Sequence, residues 1–236
     1  MRGLFVTGTD TGAGKTILSA CLVAAMIADG RRVIPHKPVL TGLEDAPEGP
    51  WPADDEMLAG LAGMSRGDVA PLRFDPAVSP HLAAELAGTE IERASLLASA
   101  ERAWEAAVGE EDEATLLVEG VGGLLVPLSG TYLVADLASD LALPVLIAAR
   151  PGLGTINHTL LTLRTARAAG LTVLAVVLTP WPERPGPIER SNLETIARLG
   201  EVEVATLPLV AAPDPATLAA AGETLPWRRW LSETDE

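Results

Sequence analysis

A glycine-rich turn, Gly8-Thr9-Asp10-Thr11-Gly12-Ala13-Gly14-Lys15-Thr16, lies between the apolar run Leu4-Phe5-Val6 and the helix-compatible stretch Ile17 to Ala28. A buried strand, a glycine turn ending in Gly-Lys-Thr, and a helix together make the layout of a phosphate-binding loop. Glycines let the backbone curl so that several N–H groups converge on one anion. The helix N-terminus adds the positive end of its dipole. Lys15 can reach the outer phosphates, and the Thr16 hydroxyl can ligate Mg²⁺. The usual Gly-x4-Gly-Lys-[Ser/Thr] spacing would put the first glycine at position 9, whereas here it is Gly8. The loop is therefore a variant one residue longer.

The rest of the chain alternates strand and helix patterns. Arg31 to His36 predicts a short strand running into Lys37-Pro38-Val39-Leu40-Thr41-Gly42, although Pro35 would sit badly in a central strand. Leu43 to Ala53, with three prolines and several acids, predicts a loop, and Asp54-Asp55-Glu56 opens a helix through about Ala62. Arg66 to Val78 predicts irregular structure. Ser79 then caps a short helix with Pro80 in its first turn. Glu90 to Val108 predicts an amphipathic helix, and Glu110 to Glu113 a solvated turn. Ala114 to Val118 is an apolar strand that runs into Glu119 and then Gly120, Gly122 and Gly123.

A helix over Tyr132 to Leu141 and a continuous apolar strand over Leu143 to Arg150 follow. The next helix starts at Pro151-Gly152-Leu153-Gly154-Thr155-Ile156-Asn157-His158 and ends near Ala169. Leu171 to Leu178 predicts a strand ending in Thr179-Pro180, Ile188 to Leu199 a helix, and Val202 to Leu207 a last strand ending in Pro208-Leu209-Val210. A short helix and a tail carrying Trp227 and Trp230 complete the chain. Strands apolar on consecutive residues, alternating with helices, mean a parallel sheet covered on both faces. The expected fold is α/β, of the P-loop NTPase type, as a single domain over residues 1–236.

Composition narrows the partners. A net charge of −15 argues against nucleic acid and against an anionic membrane surface. The single cysteine, Cys21, can form neither an internal disulfide nor a Cys-based metal cage, which fits a reducing compartment. A strand begins within a few residues of the N-terminus, leaving no room for a signal peptide, and no apolar run reaches membrane-span length. A cytoplasmic enzyme is the expectation.

Glutamine is absent, asparagine occurs only at Asn157 and Asn192, and lysine only at Lys15 and Lys37 against 15 arginines. Arginine has been used wherever a generic positive charge suffices. The two lysines are then positions where a compact point charge is needed and a planar guanidinium would not do. Lys15 has its reason in the loop. Lys37 suits the stabilisation of charge building on a transferred group or on an anionic substrate. Glu119, at a strand end close to the loop, is placed to complete a Mg²⁺ site. Lys15, Thr16, Lys37, Thr41, Asp54 and Glu119 all fall at strand ends or just beyond them, where parallel sheets bind ligands.

The loop motif, Lys37-Pro38-Val39 with Thr41-Gly42, Ser79-Pro80-His81, Val118-Glu119-Gly120 with Gly122-Gly123, and Leu153-Gly154-Thr155-Ile156-Asn157-His158 together resemble the dethiobiotin synthetases. The resemblance spans almost the whole chain in the same motif order. It implies an ATP-dependent cyclo-ligase of biotin biosynthesis that uses Mg²⁺. Such an enzyme closes the ureido ring of dethiobiotin from 7,8-diaminononanoate and CO₂ through a carbamate and a carbamic–phosphoric anhydride. By the same resemblance Lys37 is the catalytic residue, and Gly12, Ala13, Gly14, Lys15, Thr16 and Ile17 bind the triphosphate. Thr16, Asp54 and Glu119 hold the metal. Asp54 is taken over Asp55 because its spacing to Leu58 matches the family helix better. Gly120, Val121, Gly122, Thr179, Pro180, Pro208, Leu209 and Val210 line the nucleotide. Thr11 and Thr41 meet the diamine end. The family is a homodimer, and Gly154 and Asn157 of one chain meet the carboxylate of the substrate bound by the other.

The family commonly carries an asparagine where this chain has Thr179-Pro180. A hydroxyl lacks the paired donor and acceptor of an amide, so relaxed base selectivity is expected. Two other classes share the loop. Partition or metal-delivery ATPases usually carry a second lysine inside it, absent from positions 9 to 14 here. Amidotransferase-type synthetases need a glutaminase portion, for which this chain lacks the thiol and the length.

Overall fold

In the computed structural model, which describes residues 1–44, 51–108 and 114–232, a six-stranded sheet has both faces covered by helices. Strand β1 (Gly3–Gly8) leads into helix α1 (Lys15–Ala28), then β2 (Arg32–His36) and β3 (Val39–Thr41). Helices α2 (Asp54–Ala62) and α3 (Arg66–Val69), strand β4 (Leu72–Phe74), and helices α4 (Pro80–Leu86) and α5 (Arg93–Ala107) follow. Next are β5 (Ala114–Gly123), β6 (Pro127–Ser129), β7 (Tyr132–Leu133), α6 (Val134–Leu141), β8 (Val145–Ala149), α7 (Thr155–Ala168) and β9 (Val173–Trp181). The described chain ends with α8 (Pro187–Gly200), β10 (Glu203–Pro208), α9 (Pro215–Gly222) and α10 (Trp227–Ser232).

The main sheet runs β10-β9-β8-β1-β5-β2, and all of its pairs are parallel. Strand pleating sorts the apolar residues by face. Phe5, Leu116, Val118, Val145, Ile147, Val176 and Leu178 point into one core with α5, α6, α7 and α8. Leu4, Val6, Leu117, Leu146, Ala148, Ala175 and Val177 point into the other with α1, α2, α9 and α10. Near-continuous apolar runs are what two such cores require.

Several sequence expectations change. Pro35 does lie within a strand, but β2 is at the sheet edge, where a missing N–H is tolerated. Strand β5 does not stop before the glycines: it continues to Gly123, which pairs with Gly8 after a register shift. The stretch expected to be irregular contains α3 and β4, and β4 pairs in parallel with β3. Ser79 is the N-cap of α4, but its hydroxyl makes no capping bond. The expected C-terminal helix is two helices, α9 and α10, with Trp227 and Trp230 fully buried. The acidic turn at 110–113 and positions 45–50 of the predicted loop lie outside the described residues.

Candidate active site

The loop between β1 and α1 is built on two left-handed glycines, Gly12 at φ +70° and Gly14 at φ +91°. Residues with a Cβ rarely adopt such angles. Gly14 is the N-cap of α1, and no side chain caps it. The first-turn N–H groups therefore face the loop's concavity. Asp10 organises the loop from inside: its Oδ1 accepts the Thr11 N–H at 2.7 Å, and its backbone carbonyl accepts the Lys15 ammonium at 3.0 Å.

Lys37, one residue past β2, brings the distant elements together. Its Nζ donates to Glu119 Oε1 at 2.6 Å and to Asp54 Oδ2 at 2.5 Å. The Thr16 hydroxyl donates to the same Glu119 oxygen at 2.7 Å. Lys37 and Glu119 are only 4% and 1% exposed. Asp54, in the first turn of α2, keeps 39% of its side chain in contact with solvent. Burial pulls the Lys37 pKa down, but the Glu119 and Asp54 carboxylates more than offset this and hold it above the ordinary lysine value. Burial lowers the Lys15 pKa, and the nearby Lys37 charge adds to that fall. Burial would raise the Asp54 pKa, but the charge and the hydrogen bond of the Lys37 ammonium bring it below the usual carboxylate value.

The two neighbouring aspartates have different partners. Asp55 is fully buried, and Arg66 holds it at 2.9 Å from both Nε and Nη2 and Arg73 at 3.1 Å. Both of its oxygens are engaged by these arginines.

Two carboxylates and a hydroxyl form a hard-oxygen donor set. The second Glu119 oxygen, Oε2, is buried with no hydrogen-bond partner, so it has an unused lone pair where a cation would gain most. Among the described residues no group of three or more His, Cys, Asp or Glu forms a metal cage. Such a partial set fits Mg²⁺, which keeps several waters and takes further oxygens from bound phosphates.

The other expected site residues lie in or just after strands of the main sheet, except Thr41, which lies in the smaller β3–β4 sheet. Gly120, Val121 and Gly122 lie in the second half of β5. Thr179 and Pro180 are joined by a cis peptide near the end of β9. Thr179 is buried, and its methyl packs so closely on Gly14 that a Cβ there would lie 2.6 Å away. Pro208 ends β10, followed by an exposed Leu209 and a buried Val210. Thr41 ends β3, half-buried. Gly154 and Asn157 are exposed at the start of α7, outside the buried Lys37–Glu119 group.

Sequence reasoning missed two supports. Arg150, directly after β8, donates from Nε to the Gly12 carbonyl at 3.0 Å and from Nη2 toward the Thr11 carbonyl at 3.5 Å. Asn192, on α8, donates to the carbonyls of Pro151 at 2.8 Å and Gly152 at 3.0 Å. Nothing local marks Arg150 among 15 arginines, but Asn192 could have been found from the scarcity of amides.

The parallel sheet, the loop and the Lys37 group define a P-loop nucleotide-dependent protein of the α/β class. A family model described as "AAA domain" matches residues 2–215. An ATP-dependent dethiobiotin synthetase BioD of Bacillus subtilis (strain 168) is 36% identical over 86% of this chain and 85% of its own length. The enzyme of that name from Anaeromyxobacter sp. (strain Fw109-5) is 42% identical over 84% of this chain and 86% of its own. Among solved structures, the MinC:MinD cell division protein complex of Aquifex aeolicus superposes with a TM-score of 0.55 at 14% identity, covering 99% of this chain and 94% of that one. Cyanthece apo McdA does so at 0.52 and 11%, covering all of both chains. At such identity these two share the fold alone.

The chain belongs to the ATP-dependent dethiobiotin synthetase family. It is an enzyme, a ligase. Among the described residues no helix is long and apolar enough to cross a membrane.

Proposed function

We propose that this enzyme closes the ureido ring of dethiobiotin from 7,8-diaminononanoate, CO₂ and ATP, in the cytoplasm, as a step of biotin synthesis. One substrate amine adds to CO₂ to give a carbamate, losing a proton. A carbamate oxygen attacks the γ-phosphorus, ADP leaves, and a carbamic–phosphoric anhydride forms. The second amine attacks the carbonyl carbon and loses a proton, the C–O bond breaks with its electron pair going to the departing phosphate, and the ring closes.

The observation that carries this reading is the Lys37 ammonium, buried beside the phosphate loop between Asp54 and Glu119. A fixed cation there opposes the charge on the carbamate and on the migrating phosphoryl group. The amides of Gly12 to Ile17 and the Lys15 ammonium hold the triphosphate. Thr16, Asp54 and Glu119 would hold Mg²⁺, which neutralises phosphate charge when bound. The base would lie toward Thr179-Pro180 and Pro208-Leu209-Val210, with Gly120, Val121 and Gly122 beneath the nucleotide. Two strands separate β1 from β10 in the sheet order, leaving room to set base and phosphates apart. Thr179 has its side chain packed on Gly14 rather than free to read a base edge. That supports relaxed selectivity among nucleoside triphosphates.

Thr11 and Thr41 would contact the diamine end. The substrate carboxylate would meet Gly154 and Asn157 of a partner chain in a homodimer. Leu153, 96% exposed beside that turn, together with exposed Leu161 on α7 and Ile188 on α8, supports a covered surface there. Mass detection of the ring-closed product from diamine, bicarbonate and each triphosphate in turn tests the reading. Product is expected with ATP and with at least one other triphosphate; absence of product with every triphosphate would overturn it.

A further inference from the structure

The phosphate loop works by the direction of its N–H groups, and two of those directions are set by a side chain outside the loop. The carbonyls of Thr11 and Gly12 both face the Arg150 guanidinium. In a trans peptide the N–H points opposite to the carbonyl. Drawing these two carbonyls toward Arg150 therefore turns the N–H groups of Gly12 and Ala13 away from it. The Ala13 N–H meets the Asp10 carbonyl at 3.4 Å, the same oxygen that the Lys15 ammonium reaches at 3.0 Å, so it points to the side of the loop on which Lys15 lies.

Three features fix the clamp. Thr9 N–H bonds the Ala148 carbonyl at 3.0 Å, so the loop is already registered on β8 two residues before Arg150. Asn192 fixes the backbone just after Arg150 by donating to the Pro151 and Gly152 carbonyls. Gly12 leaves room for the guanidinium against the loop: a Cβ there would come 2.8 Å from Arg150 Nη2.

We propose that Arg150 is a positioning residue for phosphoryl transfer, aligning the Gly12 and Ala13 amides through their neighbouring carbonyls. The proposal rests on the ligase reading given above. A planar fork suits the task because it spans two carbonyls, whereas an ammonium is a point donor.

The test compares wild type with Arg150→Ala and Arg150→Lys in two assays. In turnover with diamine, bicarbonate and MgATP, Arg150→Ala is expected to lose about 10²-fold in kcat, the scale of a small misplacement of reacting groups. The diamine KM and the melting temperature should change little, and added guanidinium ion should restore part of kcat. Arg150→Lys should lose most of the same kcat. Wild-type kcat in either variant overturns the proposal, as does a loss in Arg150→Ala that guanidinium ion leaves untouched. Hydrogen exchange of the 10–14 amides, measured without substrates, is independent of the reaction. Faster exchange in Arg150→Ala supports the clamp, and unchanged exchange overturns it. If wild type makes no dethiobiotin while exchange still accelerates, the reaction was misassigned and the loop clamp stands.

Discussion

At the scale of single residues, Lys37 and its neighbours separate function from stability. Replacing Lys37 by arginine keeps the charge but not the compact point donor that fits between Asp54 and Glu119. Turnover is expected to fall by at least about 10²-fold with nucleotide binding retained, checked by steady-state kinetics beside an ATP-binding titration. Asp54 and Asp55 should divide cleanly. Asp54→Asn is expected to abolish turnover with little change in melting temperature. Asp55→Asn leaves Arg66 and Arg73 without their buried counter-charge and should destabilise by about 2–3 kcal/mol in denaturant unfolding. His36 makes a pH prediction. Burial holds its pKa down, at about 4 against the ordinary 6.5, with the Arg102 charge adding to the fall and the Asp68 carbonyl opposing it. The folded state thus prefers the neutral ring. Stability from this group is whole above pH 6.5 and declines as pH falls from 6.5 toward about 4, by at most about 3 kcal/mol. Unfolding measured across that window should show a shallower acid decline in His36→Gln than in wild type.

At the scale of elements, the C-terminal helices brace the helix that carries the loop. Helix α9 packs on α1 through Gly222, where a Cβ would lie 2.1 Å from the Cys21 carbonyl oxygen, so nothing larger fits without moving a helix. Trp227 and Trp230 of α10 fill the same core. Gly222→Ala is expected to destabilise by about 1–3 kcal/mol, read from the denaturation midpoint, while the nucleotide KM stays near wild type. The sequence made the main sheet legible because its strands are local apolar runs, and it made the loop legible because Gly-Lys-Thr lies between strand and helix. Short strands β3 and β4 were not legible: three residues each, they are defined only by pairing Val39 to Thr41 with Leu72 to Phe74. The same long-range pairing hid the role of Asp55, since Arg66 and Arg73 come from α3 and β4. Lysine scarcity pointed to Lys37 before any contact was known. Arg150 carried no such mark, because its role depends on β8 lying beside β1.

At the scale of the whole molecule, the sheet gathers Lys15, Thr16, Lys37, Asp54 and Glu119 from four separate segments onto one edge. The likeness to the MinD complex and to McdA is one of fold alone. The loop lacks a second lysine, and the relatives at 36% and 42% identity are synthetases. If the α7–α8 face joins two copies, Leu153→Glu should shift sedimentation toward monomer and raise the diamine KM more than the ATP KM. The most direct measurement of the central claim is phosphate release from ATP with diamine and bicarbonate supplied together, singly or not at all. Fast release only when both are present, lost in Lys37→Gln, is the expected result. Release at the same rate with either one omitted would contradict the assignment of Lys37 to a carbamate-phosphorylating site.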